Sequence, residues 1–212
     1  MSCDARSRTS RRDRELIVHS SPCGSVSRQS FTHSPVQLLA ISGSLRALSS
    51  NTALLRVAAE VAPSDVHITL YDGMAALPHF NPDDDVEVPP PAVLDLRGRV
   101  GSADGVLVCS PEYAHGVPGS LKNLFDWLVA SVEFPFKPVA LINASSMATH
   151  AHASLVETLT TMNANVVRDA CVTIPVARDE MDPTGAITNT AIRDQVRRML
   201  DVFTQEIRAL TQ

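Results

Sequence analysis

The chain has 212 residues, 44% of them apolar and 19% charged. That is the composition of a globular protein with material for one domain, and no apolar run approaches the roughly 20 residues that a membrane-crossing helix needs. Charge is uneven: residues 1–34 carry six Arg against three acids, whereas the rest holds 12 basic and 20 acidic groups, so the folded part has no general basis for binding nucleic acid.

Residues 1–34 are rich in Ser and Arg, and their one apolar run is Leu16-Ile17-Val18. So little apolar surface does not offset the entropy of ordering. A disordered tail is expected there, with a single domain over 35–212. Ser10-Arg11-Arg12 hints at a twin-arginine export signal, but no apolar h-region follows. Cys3, Cys23, Cys109 and Cys171 are scattered, without a C-x-x-C pair or zinc spacing. They read as free thiols of a reducing compartment, which places the chain in the cytoplasm.

From Val36 onward, strand and helix patterns alternate. Val36 to Ile41, Gly105 to Cys109 and Pro138 to Ile142 are apolar at odd and even positions alike, which marks strands buried on both faces. Val66 to Tyr71 alternates strictly and suits a strand nearer the sheet edge. Val166 to Ile174, interrupted by Arg168 and Asp169, also reads as peripheral. Between them, Leu54, Leu55, Ala58, Ala59 and Ala62 share one helical face. Leu121, Leu124, Phe125, Leu128, Val129 and Val132 share another. Leu155, Leu159 and Met162 continue the pattern, and Ile192 to Leu210 form the last helix. Pro78 to Pro91 reads as a long surface loop, with a short helix after it at Val93 to Val100. Five strands alternating with helices predict an α/β fold: a flavodoxin-like, doubly wound five-stranded parallel sheet of order 2-1-3-4-5. Ligands in such sheets bind beyond the carboxyl ends of the strands, at the topological switch point.

The segments after the central strands carry the chemistry. Gly43-Ser44-Leu45-Arg46-Ala47-Leu48-Ser49-Ser50-Asn51 joins a sharp turn at Gly43, hydroxyl and amide donors, a permanent cation and a helix N-terminus. This combination suits a phosphate. It is neither a dinucleotide fingerprint nor a Walker A loop. The bland alternative is that Ser49 to Asn51 only cap a helix while Arg46 is solvated. Ser110-Pro111-Glu112-Tyr113-Ala114-His115-Gly116-Val117-Pro118-Gly119 is a stiff loop whose glycines allow close backbone approach, suited to a flat heteroaromatic ring. Glu112 and His115 have the chemistry of an acid/base pair, although Glu112 equally suits a helix cap. His150 and His152, two residues apart without a carboxylate, do not predict a metal site.

Together, Gly43-Ser44-Leu45-Arg46-x-x-Ser49-x-Asn51, Ser110-Pro111-Glu112-Tyr113 and Pro118-Gly119-x-Leu121-Lys122-Asn123-x-x-Asp126-Trp127 resemble the NADPH-dependent FMN reductase family, from about Gln37 to about Pro175. The resemblance implies bound FMN and NADPH or NADH as co-substrate. Ser44, Arg46, Ser49, Ser50 and Asn51 would hold the FMN phosphate. Pro111, Glu112, Tyr113 and Ala114 would line the isoalloxazine, although many relatives have Asn in place of Ala114. Ala144-Ser145-Ser146-Met147 is similar to the third flavin loop, adding Ser145 and Ser146, but Ala148 to His152 replace the glycines that often follow. The implied activity is hydride transfer from NAD(P)H through FMN to a small electron acceptor with ping-pong kinetics and no protein nucleophile. The acceptor would be a quinone, flavin, metal oxyanion, azo or nitro compound. The implied assembly is a homodimer or homotetramer, with the helix around Trp127 as one candidate surface. The alternatives are a flavodoxin-type FMN electron carrier and a non-enzymatic flavin-binding partner or sensor.

Overall fold

The computed structural model describes residues 34–210. The tail expectation, Cys3 and Cys23 thus fall outside the described residues. The elements, in order, are β1 (Val36–Ser42), α1 (Ser50–Val61), β2 (Val66–Leu70), α2 (Pro91–Ser102), β3 (Gly105–Cys109), α3 (Gly119–Asp126), β4 (Pro138–Asn143), α4 (Thr149–Thr161), β5 (Asn165–Val166), β6 (Val172–Thr173) and α5 (Thr190–Leu210). All strands pair in parallel, in the order β2-β1-β3-β4-β5, with β6 also on β4. The switch point lies between β1 and β3.

The strand pattern follows from burial on two faces. Leu38, Ala40, Leu107, Cys109, Ala140 and Ile142 point to one side, against Leu54, Leu55 and Ala58 of α1 and Leu200 and Phe203 of α5. Leu39, Ile41, Val106, Val108, Val139 and Leu141 point to the other, against Leu96 of α2, Leu121 and Phe125 of α3, and Leu159 of α4. Continuous apolar runs are what a sheet covered on both faces requires. In β2, His67 and Thr69 are exposed, in keeping with its alternating sequence and edge position.

Three segments differ from the sequence reading. The fifth position is two strands, because Arg168–Ala170 form a 3-10 turn that carries the two charged residues out of the ladder. Pairing with β4 holds on both sides of the turn: before it the Val167 N–H donates to the Val139 carbonyl at 2.9 Å, and after it that of Ile174 donates to the Asn143 carbonyl at 2.9 Å. α2 is longer than expected, beginning at Pro91, where a missing N–H costs a helix nothing.

α3 is shorter than expected and ends at Asp126. Val129 and Val132 are therefore not on its buried face but 61% and 88% exposed. Just past its end the Trp127 carbonyl accepts from Arg97 of α2, through Nε at 3.2 Å and Nη2 at 2.7 Å, and so serves no further helical turn. The chain then continues in tight turns, Leu128 N–H to Phe125 O and Ser131 N–H to Leu128 O. Trp127 itself is fully buried, so it is not a surface residue of the chain. Its indole N–H donates to the Pro78 carbonyl at 2.8 Å, and its ring meets Phe80 edge-on at 5.0 Å. Asn123 adds two bonds to the same segment, accepting from Phe80 N–H at 2.7 Å and donating to Pro78 O at 2.9 Å. The Pro78 to Pro91 loop is thus stitched to α3.

Candidate functional site

The loops after β1, β3 and β4 meet at the carboxyl edge of the sheet. In the first, Gly43 has no positive φ, so the expected sharp turn is not what requires a glycine. The reason is close approach: a Cβ there would come within 2.9 Å of Leu121 Cδ2 and of Ser110 Oγ. The loop is held from within, as Ser42 Oγ lies 2.7 Å from Thr52 Oγ1 and Ser44 Oγ accepts from the Arg46 N–H at 3.3 Å. Ser49 takes the N-cap position of α1, but its hydroxyl makes no cap bond. The first intrahelical donor is Ala53, which leaves the N–H groups of Ser50, Asn51 and Thr52 without an intrahelical acceptor. Arg46 is exposed, and no carboxylate lies within ion-pair distance of it among the described residues. Free N–H groups, a helix dipole and an unpaired guanidinium on one turn form an anion seat.

The second loop is a miniature hairpin. Tyr113 and Gly116 exchange both backbone bonds, at 3.0 and 2.9 Å. Ala114 and His115 at the tip have φ of 49° and 59°. Two left-handed residues in succession are the demand of a type I′ turn, which Asn and Gly meet more easily than Ala and His. Gly116 and Gly119 have no close neighbour that a side chain would strike, so close approach is not their reason.

Glu112 connects this loop to the third. Its Oε2 accepts from the Ala151 N–H at 2.8 Å, and its Oε1 lies 3.3 Å from His115 Nδ1. Ala148, the N-cap of α4, has no side chain able to cap. Glu112 supplies that bond from β3's loop and adds negative charge where the helix dipole favours it. The helix-cap reading of Glu112 is thus the one its geometry serves. His150 stands edge-on to His115 at 4.3 Å. His152 is half-buried on the same helix, and desolvation lowers its pKa. In the third loop, buried Asn143 holds the turn with its side chain, accepting from Ser145 N–H at 3.1 Å and donating to Ala148 O at 3.0 Å.

The three loops enclose a cavity of about 310 Å³. Nine of the eleven residues singled out from the sequence line it: Ser44, Arg46, Ser49, Ser50, Asn51, Pro111, Glu112, Tyr113 and Ser145. Ala114, at the hairpin tip, and Ser146 do not. Ser110, Ala144, Met147 and Ala148 line it without having been singled out. Their signal was position alone, since Ser110 and Ala144 directly follow β3 and β4, and Met147 and Ala148 lie between β4 and α4.

A parallel sheet of this order, with an anion seat and a cavity at its switch point, defines a flavodoxin-like α/β protein. The sequence model of the NADPH-dependent FMN reductase family matches residues 36–179, and the chain belongs to that family, whose members are oxidoreductases working with FMN and NAD(P)H. It is 32% identical to an NAD(P)H-dependent FMN reductase of Pseudomonas aeruginosa, over 82% of this chain and 97% of that protein. It is 31% identical to a quinone reductase of Escherichia coli, over 79% of this chain and 93% of that protein. Among solved structures it is similar to the flavoenzyme NAD(P)H:(acceptor) oxidoreductase of Paracoccus denitrificans, with a TM-score of 0.69, 26% identity, and 82% and 98% of the two chains covered.

Proposed function

We propose that this chain is an FMN-dependent NAD(P)H oxidoreductase that reduces a small two-electron acceptor of the quinone kind, by ping-pong kinetics. The observation that carries the reading is the single cavity joining the anion seat of Ser44 to Asn51 with the hairpin and third loop. Arg46, the Ser49 hydroxyl and the free N–H groups of α1 would hold the FMN phosphate. Pro111, Glu112 and Tyr113 would support the isoalloxazine, with Ser145, Met147 and Ala148 on its other border. FMN, when bound, supplies the hydride-accepting and hydride-donating ring, so the protein needs no nucleophile. The protein's part is to fix the ring, leave one face open and keep the loops rigid. The activities of the relatives, FMN reduction and quinone reduction, support this substrate class.

A cytoplasmic place is part of the proposal, since the reaction consumes NAD(P)H; among the described residues no helix is long and apolar enough to cross a membrane. Exposed Val129, Val132 and Phe136 support a homodimer or homotetramer, which light scattering would resolve. The deciding experiment is spectroscopic. The purified protein should be yellow with about one FMN per chain, bleach anaerobically with NADH or NADPH, and recover its colour with a quinone. Yellow protein that no nicotinamide bleaches would sink the reductase reading, and colourless protein that takes up no FMN would sink the flavin site as well.

A further inference from the structure

A second cavity, of about 490 Å³, adjoins the first. Arg46 and Ser50 line both. Leu48, Met181 and Pro183 give the second cavity apolar walls, and Asp182 brings a carboxylate. Arg46 and Asp182 thus line one cavity without forming an ion pair. Opposite charges on the lining of one apolar-walled space, not spent on each other, suit a ligand that carries both an anionic group and a hydroxyl donor.

The outer wall is built rather than loose. Between β6 and α5 the chain doubles back, with Met181 bridged to Ile187. Asp182 Oδ1 accepts from the Thr184 N–H at 2.8 Å, the Thr184 hydroxyl at 2.6 Å and the Ala186 N–H at 3.0 Å. These bonds, the Thr184 hydroxyl foremost, hold the Asp182 carboxyl below its ordinary pKa and keep it ionised. Gly185, at φ +83°, packs so close to Leu48 that a Cβ there would lie 3.1 Å from Leu48 Cδ2, so this wall and the first loop meet at that point. Oδ2 of Asp182 makes none of these bonds, so it retains acceptor capacity.

We infer that this second cavity receives the adenosine diphosphate end of the nicotinamide co-substrate, with phosphate at Arg46, adenine against Leu48, Met181 and Pro183, and a ribose hydroxyl donating to Asp182. The inference rests on the flavin reading above, which puts the nicotinamide at the ring end of the first cavity. Arg46 then stands between two anionic groups, the FMN phosphate and the co-substrate's diphosphate, and its five N–H donors suffice for both. An acidic side chain on a ribose hydroxyl is how a site selects an unphosphorylated ribose. A 2′-phosphate would meet the Asp182 charge, so NADH is favoured over NADPH.

The test uses FMN-loaded protein and two fragments that cannot reduce a flavin, ADP-ribose and its 2′-phosphate, with binding measured by calorimetry. ADP-ribose should bind more tightly than its 2′-phosphate. Leu48→Trp, which fills the slot from an exposed position, should weaken ADP-ribose at least tenfold and raise the KM for NADH more than it lowers kcat. Asp182→Asn keeps the Oδ1 acceptor and should narrow the preference about tenfold. ADP-ribose binding untouched by Leu48→Trp would overturn the site, and tighter binding of the 2′-phosphate would overturn the role of Asp182. Protein that holds no FMN would overturn the flavin reading instead, a result visible in its absorbance before any fragment is added.

Discussion

Cys109 donates its thiol hydrogen to Oδ1 of Asn51 at 3.3 Å, joining the last residue of β3 to the second residue of α1 beneath the anion seat. Both residues are buried. Burial pushes the Cys109 thiol well above its ordinary pKa, with a backbone bond at Ala144 opposing only in part. A thiol so protonated is a poor nucleophile. The bond instead holds the amide of Asn51, a residue of the cavity lining. Cys109→Ala should destabilise by about 1 kcal/mol, from a small lost volume and one lost bond. NAD(P)H-dependent turnover should stay within a few-fold. A hundredfold fall with FMN still bound would mean that sulfur takes part in the chemistry.

Arg46→Ala should weaken FMN binding while leaving the thermal melt of the apoprotein unchanged. Arg46 makes no ion pair among the described residues, so the fold does not depend on its charge. A charged hydrogen bond contributes roughly 1.5–3 kcal/mol, which converts to about a ten- to hundredfold loss of affinity. Fluorescence titration with FMN measures it directly, and an unchanged Kd would take Arg46 out of the phosphate site.

Ala114→Gly should stabilise the protein. Ala114 sits at φ 49° in the hairpin tip, and the left-handed region costs an L residue roughly 1–2 kcal/mol that glycine does not bear. Glycine's greater freedom in the unfolded chain returns part of this. A net gain of about 1 kcal/mol raises Tm by roughly 2–4 °C at this size. A lowered Tm would show that the Ala114 methyl packs usefully. His115→Gly is not an equivalent test, since it also removes the contacts to Glu112 and His150.

The fold was legible because two signals agreed. Runs such as Gly105 to Cys109 are apolar at every position, and the charged or polar residues fall immediately after the strands. The cavity was legible for the same reason, since a parallel sheet puts those residues on one edge. What the sequence hid depended on distant partners. Nothing near Trp127 in the chain announces that its carbonyl goes to Arg97 and that tight turns follow α3, so the helical spacing of Val129 and Val132 predicts a buried face they do not reach. Its place after a strand marks Gly43 as a turn residue, whereas the constraint comes from Leu121 and Ser110, many residues away. The wall at Met181 to Ile187 has no apolar period at all. It is held by Asp182 and Thr184, polar residues that sequence patterning assigns to any loop.

Glu112 is the residue whose role most needs separating from catalysis. It lies in the cavity wall next to a histidine, the arrangement expected of a general base. Yet its two oxygens are both engaged, one at 2.8 Å from the Ala151 N–H and the other at 3.3 Å from His115 Nδ1. A carboxylate spent on a helix N-terminus is positioning Met147 and Ala148, the residues just ahead of α4. Glu112→Gln keeps an oxygen acceptor for Ala151 and loses the charge together with the second oxygen that faces His115. Its effect should be a few tenths of a kcal/mol in stability, the low end of helix-dipole contributions. FMN affinity and the pH profile of kcat should stay close to those of the parent. Glu112→Ala removes the acceptor and leaves α4 uncapped, which should cost about 1 kcal/mol. It should also weaken FMN several-fold, because the third loop is no longer tied to the second. The contrast between the two variants carries the argument. If Glu112→Gln instead lowered turnover a hundredfold with FMN still bound, and removed an acidic limb from the pH profile, the carboxylate would be moving a proton and the capping role would be secondary.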